Sequence, residues 1–405
     1  MFKPSPPHIN RTMAITATLG LLSLFPPLAT DMYLAALGDL ATSLGSTHAG
    51  AEFSLSIFFL GLCVGQLLLG PLADAYGRKK PLLIGTAIFS ATSIALPLVH
   101  DITWFNALRF VQAIGASAGM VVGRAIVKDL YEGRRAAQVM TVLVMLLTVG
   151  PIVSPTLGSL LLEAFGWQSI FFTMSLISIV ALAMAFVVLP ETLPAEARKT
   201  LPFTDGGRTA ITLMSKREFA VMALVSGLIQ GGMFAFITGS SGVFQGNFGL
   251  SSLEFGIMFA VIAAALIIFG KINGILLNRY NPAQVVAVGL PFFVASTAVL
   301  ALVSGSHILW VFALPLWVSI GMVGLLSANA MSMTMELSGE GAGMGSALLG
   351  AIQFAIAFLV SFCVALGGTH TALPMALGLF VPAFFAMIFF YAFVGRPHVG
   401  PVAMP

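Results

Sequence analysis

Twelve apolar stretches, each long enough to cross a bilayer, govern what this chain can become. They lie near residues 12–36, 51–73, 81–100, 104–127, 136–162, 167–189, 218–241, 253–277, 283–304, 308–330, 342–366 and 371–394. A spanning helix needs about 20 mostly apolar residues. Backbone inside lipid must satisfy its own hydrogen bonds, so these stretches are expected as helices. The chain is 58% hydrophobic and 8% charged, against about 25% charged in soluble domains. That excludes an ordinary soluble fold. The first stretch follows Lys3 and Arg11, as a secretion signal would. It runs too long and shows no clear cleavage site, so it reads as a span.

The connections are short except at 190–217, which carries Pro190, Pro194 and Pro202 with Arg198, Lys199, Arg208, Lys216 and Arg217. This polar linker divides the chain into six spans and six. The expected fold is an all-α membrane protein of twelve transmembrane helices in two pseudo-symmetric six-helix bundles. The expected boundaries are 1–192 and 217–405, with a cytoplasmic linker at 193–216. A faint repeat supports the division. The turn GQLLLGPLADAYGRKKPLLIG, at 65–85, has a weak copy 204 positions later, in which Gly70, Tyr76 and Gly85 fall on Gly274, Tyr280 and Gly289. The copy lost its charges, which suggests two similar halves with unequal jobs.

Lys and Arg number 18, and nearly all lie at the termini or in the even-numbered loops. The loops near 37–50, 101–103, 163–166, 242–252, 305–307 and 367–370 hold none. The positive-inside rule then puts both termini in the cytoplasm. The loop at 336–340 is off pattern, with Glu336, Glu340 and no base, but acids weigh little in that rule. The net charge is only +3, and the bases are scattered among short loops, so nucleic acid is not an expected partner. Cys63 and Cys363 sit in apolar runs and read as buried small residues. No His/Cys spacing suggests a metal.

Asp31 is the one acid placed well inside a span, and Arg109 is the one base of similar depth. A charge at the bilayer centre costs about 3 kcal/mol on insertion scales, so Asp31 should face a cavity or a partner. With the first span ending near 36 and the fourth beginning near 104, both lie roughly 8 Å below the outer surface. Equal depth predicts a direct or water-bridged pair. A titrating carboxylate tuned by a cation and a static ion pair are both open on the residues alone. Glu52, at the outer start of the second span, is the second titrating candidate; its alternative is a solvated acid at a helix N-terminus.

At the basic turn, Gly77 permits a tight reversal, and Asp74 can cap a helix across the interface between halves. Arg78 can reach Asp129. Gly115, Gly119 and Gly123 form a four-residue ladder that lets helices approach closely. GASAG at 115–119 also fits G-x-S-x-G, but it lies mid-helix without the strand–turn–helix elbow that motif needs, and no enzyme is expected. Gly150, Pro151, Pro155 and Gly158 should bend or loosen the fifth span. Tyr33, Gln230, Phe234, Asn329, Gln353 and Phe354 are candidates to line a cavity. The abundant Met and Phe suit an adaptable apolar pocket and lipid contact equally.

Six plus six spans with GPLADAYGRKK after the second resemble the major facilitator superfamily. RFVQAIGASAG (109–119) and VGPIVSPTLG (149–158) look like signatures of its drug–proton antiporters. TDMYLAAL, RAIVKDLY, GWQSIF, PETLP and GSALLGAIQF narrow the resemblance to the Bcr/CflA branch of multidrug exporters. The chain departs from that branch at Gln168, Ala35 and Glu52. The resemblance implies a bacterial inner-membrane antiporter that works as a monomer and exchanges protons for a small lipophilic or amphipathic drug, with no other cofactor. It further implies that Asp31 and Arg109 couple protons. Gly70, Asp74, Gly77, Arg78 and Asp129 would form a cytoplasmic latch, and the fifth-span glycines and prolines would gate the cavity. A proton-coupled uptake symporter and a non-transporting membrane sensor or scaffold are the rival readings.

Overall fold

A computed structural model of the chain describes residues 9–198, 202–339, 342–368 and 371–393. No strand occurs among them. The helices are α1 Ile9–Ser23, α2 Phe25–Asp31, α3 Leu37–Ser43, α4 His48–Tyr76, α5 Lys79–Ala95, α6 Ile102–Leu130, α7 Gly133–Phe165 and α8 Gln168–Val188. After the linker come α9 Pro202–Ser215, α10 Arg217–Ser241, α11 Ser252–Leu276, α12 Pro282–Leu302, α13 Leu309–Ser338, α14 Ala342–Gly367 and α15 Leu373–Phe393. Among the described residues, 12 helical stretches are long and apolar enough to cross a membrane.

The first of these is not one rod. It runs Thr12–Ser43 and breaks at Leu24 and again after Asp31. Pro26 and Pro27 open α2, where their missing N–H groups cost little. The expected end near 36 is therefore corrected to 43: Gly38 and Asp39 look like loop but lie in α3. The tenth span is also longer than expected. It carries Glu336 in its last turns rather than in a loop; Glu340 lies outside the described residues.

α1–α8 pack among themselves, and so do α10–α15; the two groups meet chiefly where α4 lies on α14 and α7 on α11. The repeat is visible in the packing. A Cβ at Gly85 would lie 2.5 Å from the Ala118 Cβ of α6, and one at Gly289, 204 positions on, 2.6 Å from Leu326 Cδ2 of α13. The linker is partly helical. Its α9 buries Gly206 and Leu213 against α4, α10 and α14, so it touches both groups.

The turn at 77–78 and the linker define a basic end of the molecule. The opposite, base-free end is closed between the halves. There Gln245 Nε2 donates to the Ala35 carbonyl at 3.2 Å, and Thr156 Oγ1 to the Gly256 carbonyl at 3.1 Å. Closer to the centre, Ser361 Oγ bonds both Ser56 (2.8 Å) and Thr238 (2.7 Å).

Candidate functional site

Asp31 ends α2 at the second break of the first span and is 1% exposed. Its Oδ1 accepts from Thr30 Oγ1 at 2.7 Å, and its Oδ2 has no partner among the described residues. Broken helices place polar groups at the midplane of transporters, where lipid would otherwise forbid them.

Arg109, fully buried on α6, does not form the expected direct pair with it. Among the described residues no ion pair within 4.0 Å joins the two. Instead Arg109 Nη1 donates to Gln112 Oε1 (2.7 Å) and Nη2 to the Ala29 carbonyl (2.8 Å). The guanidinium stacks on Tyr33 and Phe58, 4.5 and 4.3 Å from their ring centres. Gln112 passes the chain of bonds to Ser93 Oγ at 2.8 Å. Arg109 therefore holds the backbone of α2 two residues before the acid. Only the direct form of the expected pair is missing, because both terminal guanidinium nitrogens are committed to Gln112 and to the Ala29 carbonyl. Sequence reasoning also missed Gln112 and Ser93; the buried base with a Gln three residues on was the available signal.

Several glycines singled out in the sequence clasp the broken span. A Cβ at Gly119 would lie 2.7 Å from the Leu22 carbonyl carbon, one at Gly150 3.0 Å from Pro27, and one at Gly158 2.6 Å from the Met32 carbonyl carbon. Gly115 instead faces α5, with the Gly85 oxygen 2.6 Å from its virtual Cβ. α7 stays helical through Pro151 and Pro155. Its Pro155–Ser159 segment abuts Gly256 of α11, across the seam between halves.

The basic turn is a network. Gly77 has φ +88°, a conformation that favours glycine. Arg78 Nη1 pairs with Asp74 Oδ1 at 2.6 Å, and Nε with Asp129 Oδ2 at 3.2 Å. Thr192 Oγ1 also donates to Asp129, at 2.8 Å. A Cβ at Gly70 would meet Val121 only at 3.9 Å, an ordinary contact. Glu191, which the sequence reading quoted within PETLP but gave no role, is central here. It accepts from the backbone N–H groups of Arg78, Lys79, Thr192 and Leu193. Partial burial pushes its carboxyl up, yet these four donors together hold it below the ordinary glutamate range.

The cavity candidates separate. Phe234 packs edge-on against Phe59 (4.7 Å between ring centres) and at a tilt against Phe354 (5.8 Å), which puts this aromatic cluster where the halves meet. Gln230 is half-buried on α10, and Gln353, also half-buried, donates to Ser226 at 3.2 Å. Tyr33 lies inside the first half, bonded to Ser54 at 2.8 Å. Asn329 lies inside the second, donating to Asn273 at 2.7 Å. A cleft of about 600 Å³ opens between Arg217, Asn281, Glu336 and Phe393, within the second half alone.

Two other expectations are corrected. Glu52 is not a solvated helix-end acid: it is 1% exposed, because α4 starts four residues before it, at His48, and seats it against the other half. Cys363 is not buried but faces outward from α14, and Cys63 is half-buried.

A profile of the major facilitator superfamily matches residues 19–362. The chain is 33% identical over 392 residues to YdgK, an uncharacterized MFS-type transporter of Bacillus subtilis, covering 95% of this chain and 96% of that one. It is 31% identical over 332 residues to a chloramphenicol resistance protein of Pseudomonas aeruginosa, covering 79% and 76%. It is 28% identical over 326 residues to a bicyclomycin resistance protein homolog of Haemophilus influenzae, covering 80% and 82%. The solved D-xylose-proton symporter superposes with TM-score 0.77 at 12% identity, over 95% of this chain and 98% of that one. With its twelve spans in two packed groups, the chain belongs to the major facilitator superfamily.

Proposed function

We propose that the protein is a proton-coupled exporter of small lipophilic or amphipathic drugs in a bacterial inner membrane, with both termini in the cytoplasm. In this reading residues 1–192 and 217–405 rock as two bundles joined by 193–216, and the base-free end is the outer face. The structure is then closed to the outside. The chain works as a monomer, and the proton is its only coupling ion.

One observation carries the coupling. Among the described residues, Asp31 is a buried carboxyl at a helix break with a bonding position left open and no cation within 4.0 Å. A static structural pair would fill that position; a site that takes up and releases a proton leaves it open. Arg109 is the positioning residue that fixes α2. The names of the relatives favour phenicol and bicyclomycin-like compounds, with sulfonamide-like ones next. The symporter reading has only a likeness of fold behind it.

The test is transport of radiolabelled chloramphenicol in proteoliposomes, with the pH gradient as the only energy source. Accumulation against the drug's own gradient, driven by protons moving the other way, is expected. Flux that ignores the pH gradient, in a panel also containing bicyclomycin and a sulfonamide, would refute the proposal.

A further inference from the structure

We propose that Glu52 is a second proton-binding site, built into the seam that the two halves close at the base-free end. It deepens the transport reading, resting on alternating access but not on which compound moves.

Glu52 lies on α4, in the first half. Its surroundings come largely from the second half. With Gly239, Gly242, Val243, Val364, Thr371 and Met375 it borders a void of about 10 Å³, room for about one water molecule. Neither carboxyl oxygen has a hydrogen-bond partner among the described residues. His48 Nδ1, one turn earlier on the same helix, is 3.4 Å from Oε1 and also has none. Other ionisable groups on the packed elements are committed or remote. α3 brings Asp39, exposed; α6 brings Asp101, which caps its own helix, and Arg109, held by Gln112 and Ala29. α14 brings Cys363, which faces outward. α10 and α15 carry Arg217, Glu218 and Tyr391 at the opposite end. His370, next to Thr371 in sequence, lies outside the described residues.

A carboxylate buried among glycine, valine and methionine, with only the His48 imidazole 3.4 Å away, is a costly species, whereas the neutral acid needs far less. The closed seam therefore accepts Glu52 protonated. Parting the halves there would wet both Glu52 and His48 and let the acid ionise. A proton arriving from the outer side then favours closure of that side, the step that turns a proton-loaded antiporter inward. The sign follows from linkage. The closed seam binds one more proton than the open one, so the open-to-closed ratio rises with pH, by at most about tenfold per unit.

The experiment uses the full chain in lipid nanodiscs, with Cys63 and Cys363 replaced by Ala. Spin labels are placed at Thr42, exposed on α3, and at Gly305, which has open space around it. Electron–electron distance distributions are recorded from about pH 4 to pH 9, spanning carboxyl and imidazole titration. In the wild type the longer, open-seam distance should gain population as pH rises. Glu52→Gln should stay closed across the range, and Glu52→Met, a second non-titrating variant, should lose the same step. Asp39→Asn, an exposed acid on α3, and His370→Gln should keep the step, and His48→Gln should keep it with a moved midpoint. A step that survives in Glu52→Gln and Glu52→Met, or vanishes in Asp39→Asn, overturns the proposal. A wild type without the step overturns it too. Should gradient-driven export fail while the Glu52-dependent step persists, the drug reading falls and this one stands.

Discussion

At the scale of single residues, close approach and unmet bonding matter more than charge alone. The first span survives two breaks because neighbouring helices press glycine against its bare backbone. Gly158 is the sharpest case: a methyl there would collide with the Met32 carbonyl, next to Asp31. Overpacking of this kind costs about 1–3 kcal/mol. Gly158→Ala should therefore lower the thermal unfolding midpoint of the purified protein by several degrees. Gly123→Ala, where the nearest atom is 3.7 Å away, should leave it unchanged. Equal midpoints in the two variants would remove the clasp from the account. The cysteines make the opposite expectation. Cys63 is half-buried and Cys363 faces outward, so replacing both with Ala should leave export within about twofold of wild type, the span of surface substitutions. Loss of export in that variant would give the thiols a role.

At the scale of elements, the turn between α4 and α5 is tied to the segment after α8 by Glu191. Glu191 accepts backbone N–H groups on both sides of that contact, a donor set that favours its anion. Glu191→Gln should destabilise the turn by about 1 kcal/mol, allowing for its solvent exposure. The pH sense is fixed. Because the folded carboxyl sits below its ordinary range, its stabilisation is complete above the unfolded value and is lost as pH falls through the folded one. The hydrogen-exchange protection factors of the Arg78 and Lys79 amides, with the intrinsic pH dependence of exchange divided out, should fall on acidification in the wild type and be low at all pH in Glu191→Gln. Arg78→Ala, which removes the guanidinium bonds to Asp74 and Asp129, should slow transport several-fold while leaving drug binding intact. Unchanged transport at matched expression would show that the network is not a latch. The sequence announced this turn clearly, through Gly77 and its bases. Glu191 stayed silent because its partners are backbone groups, which carry no residue signature. The end of the first span misled for a related reason: Gly38 and Asp39 resemble a loop in composition, but tertiary packing keeps them helical.

At the scale of the whole molecule, the two halves and their twelve spans were legible from apolar length, the spread of Lys and Arg, and the 204-residue repeat. Apart from the Arg78–Asp129 pair, which its charges announced, what escaped was created by contact between distant segments. Glu52 is buried by residues more than 180 positions away, so its helix-end position pointed to solvent. Tyr33 and Asn329 are polar enough to line a cavity, yet each bonds within its own half. The central claim concerns Asp31, the deep acid at the helix break. Its most direct test is uphill drug export by Asp31→Asn in proteoliposomes under an imposed pH gradient, with binding measured at several pH values. Export should fall to the level of protein-free vesicles, while binding persists and loses its pH dependence. Uphill export by the Asp31→Asn protein would contradict the claim and move the coupling site elsewhere, with Glu52 the next to be tested.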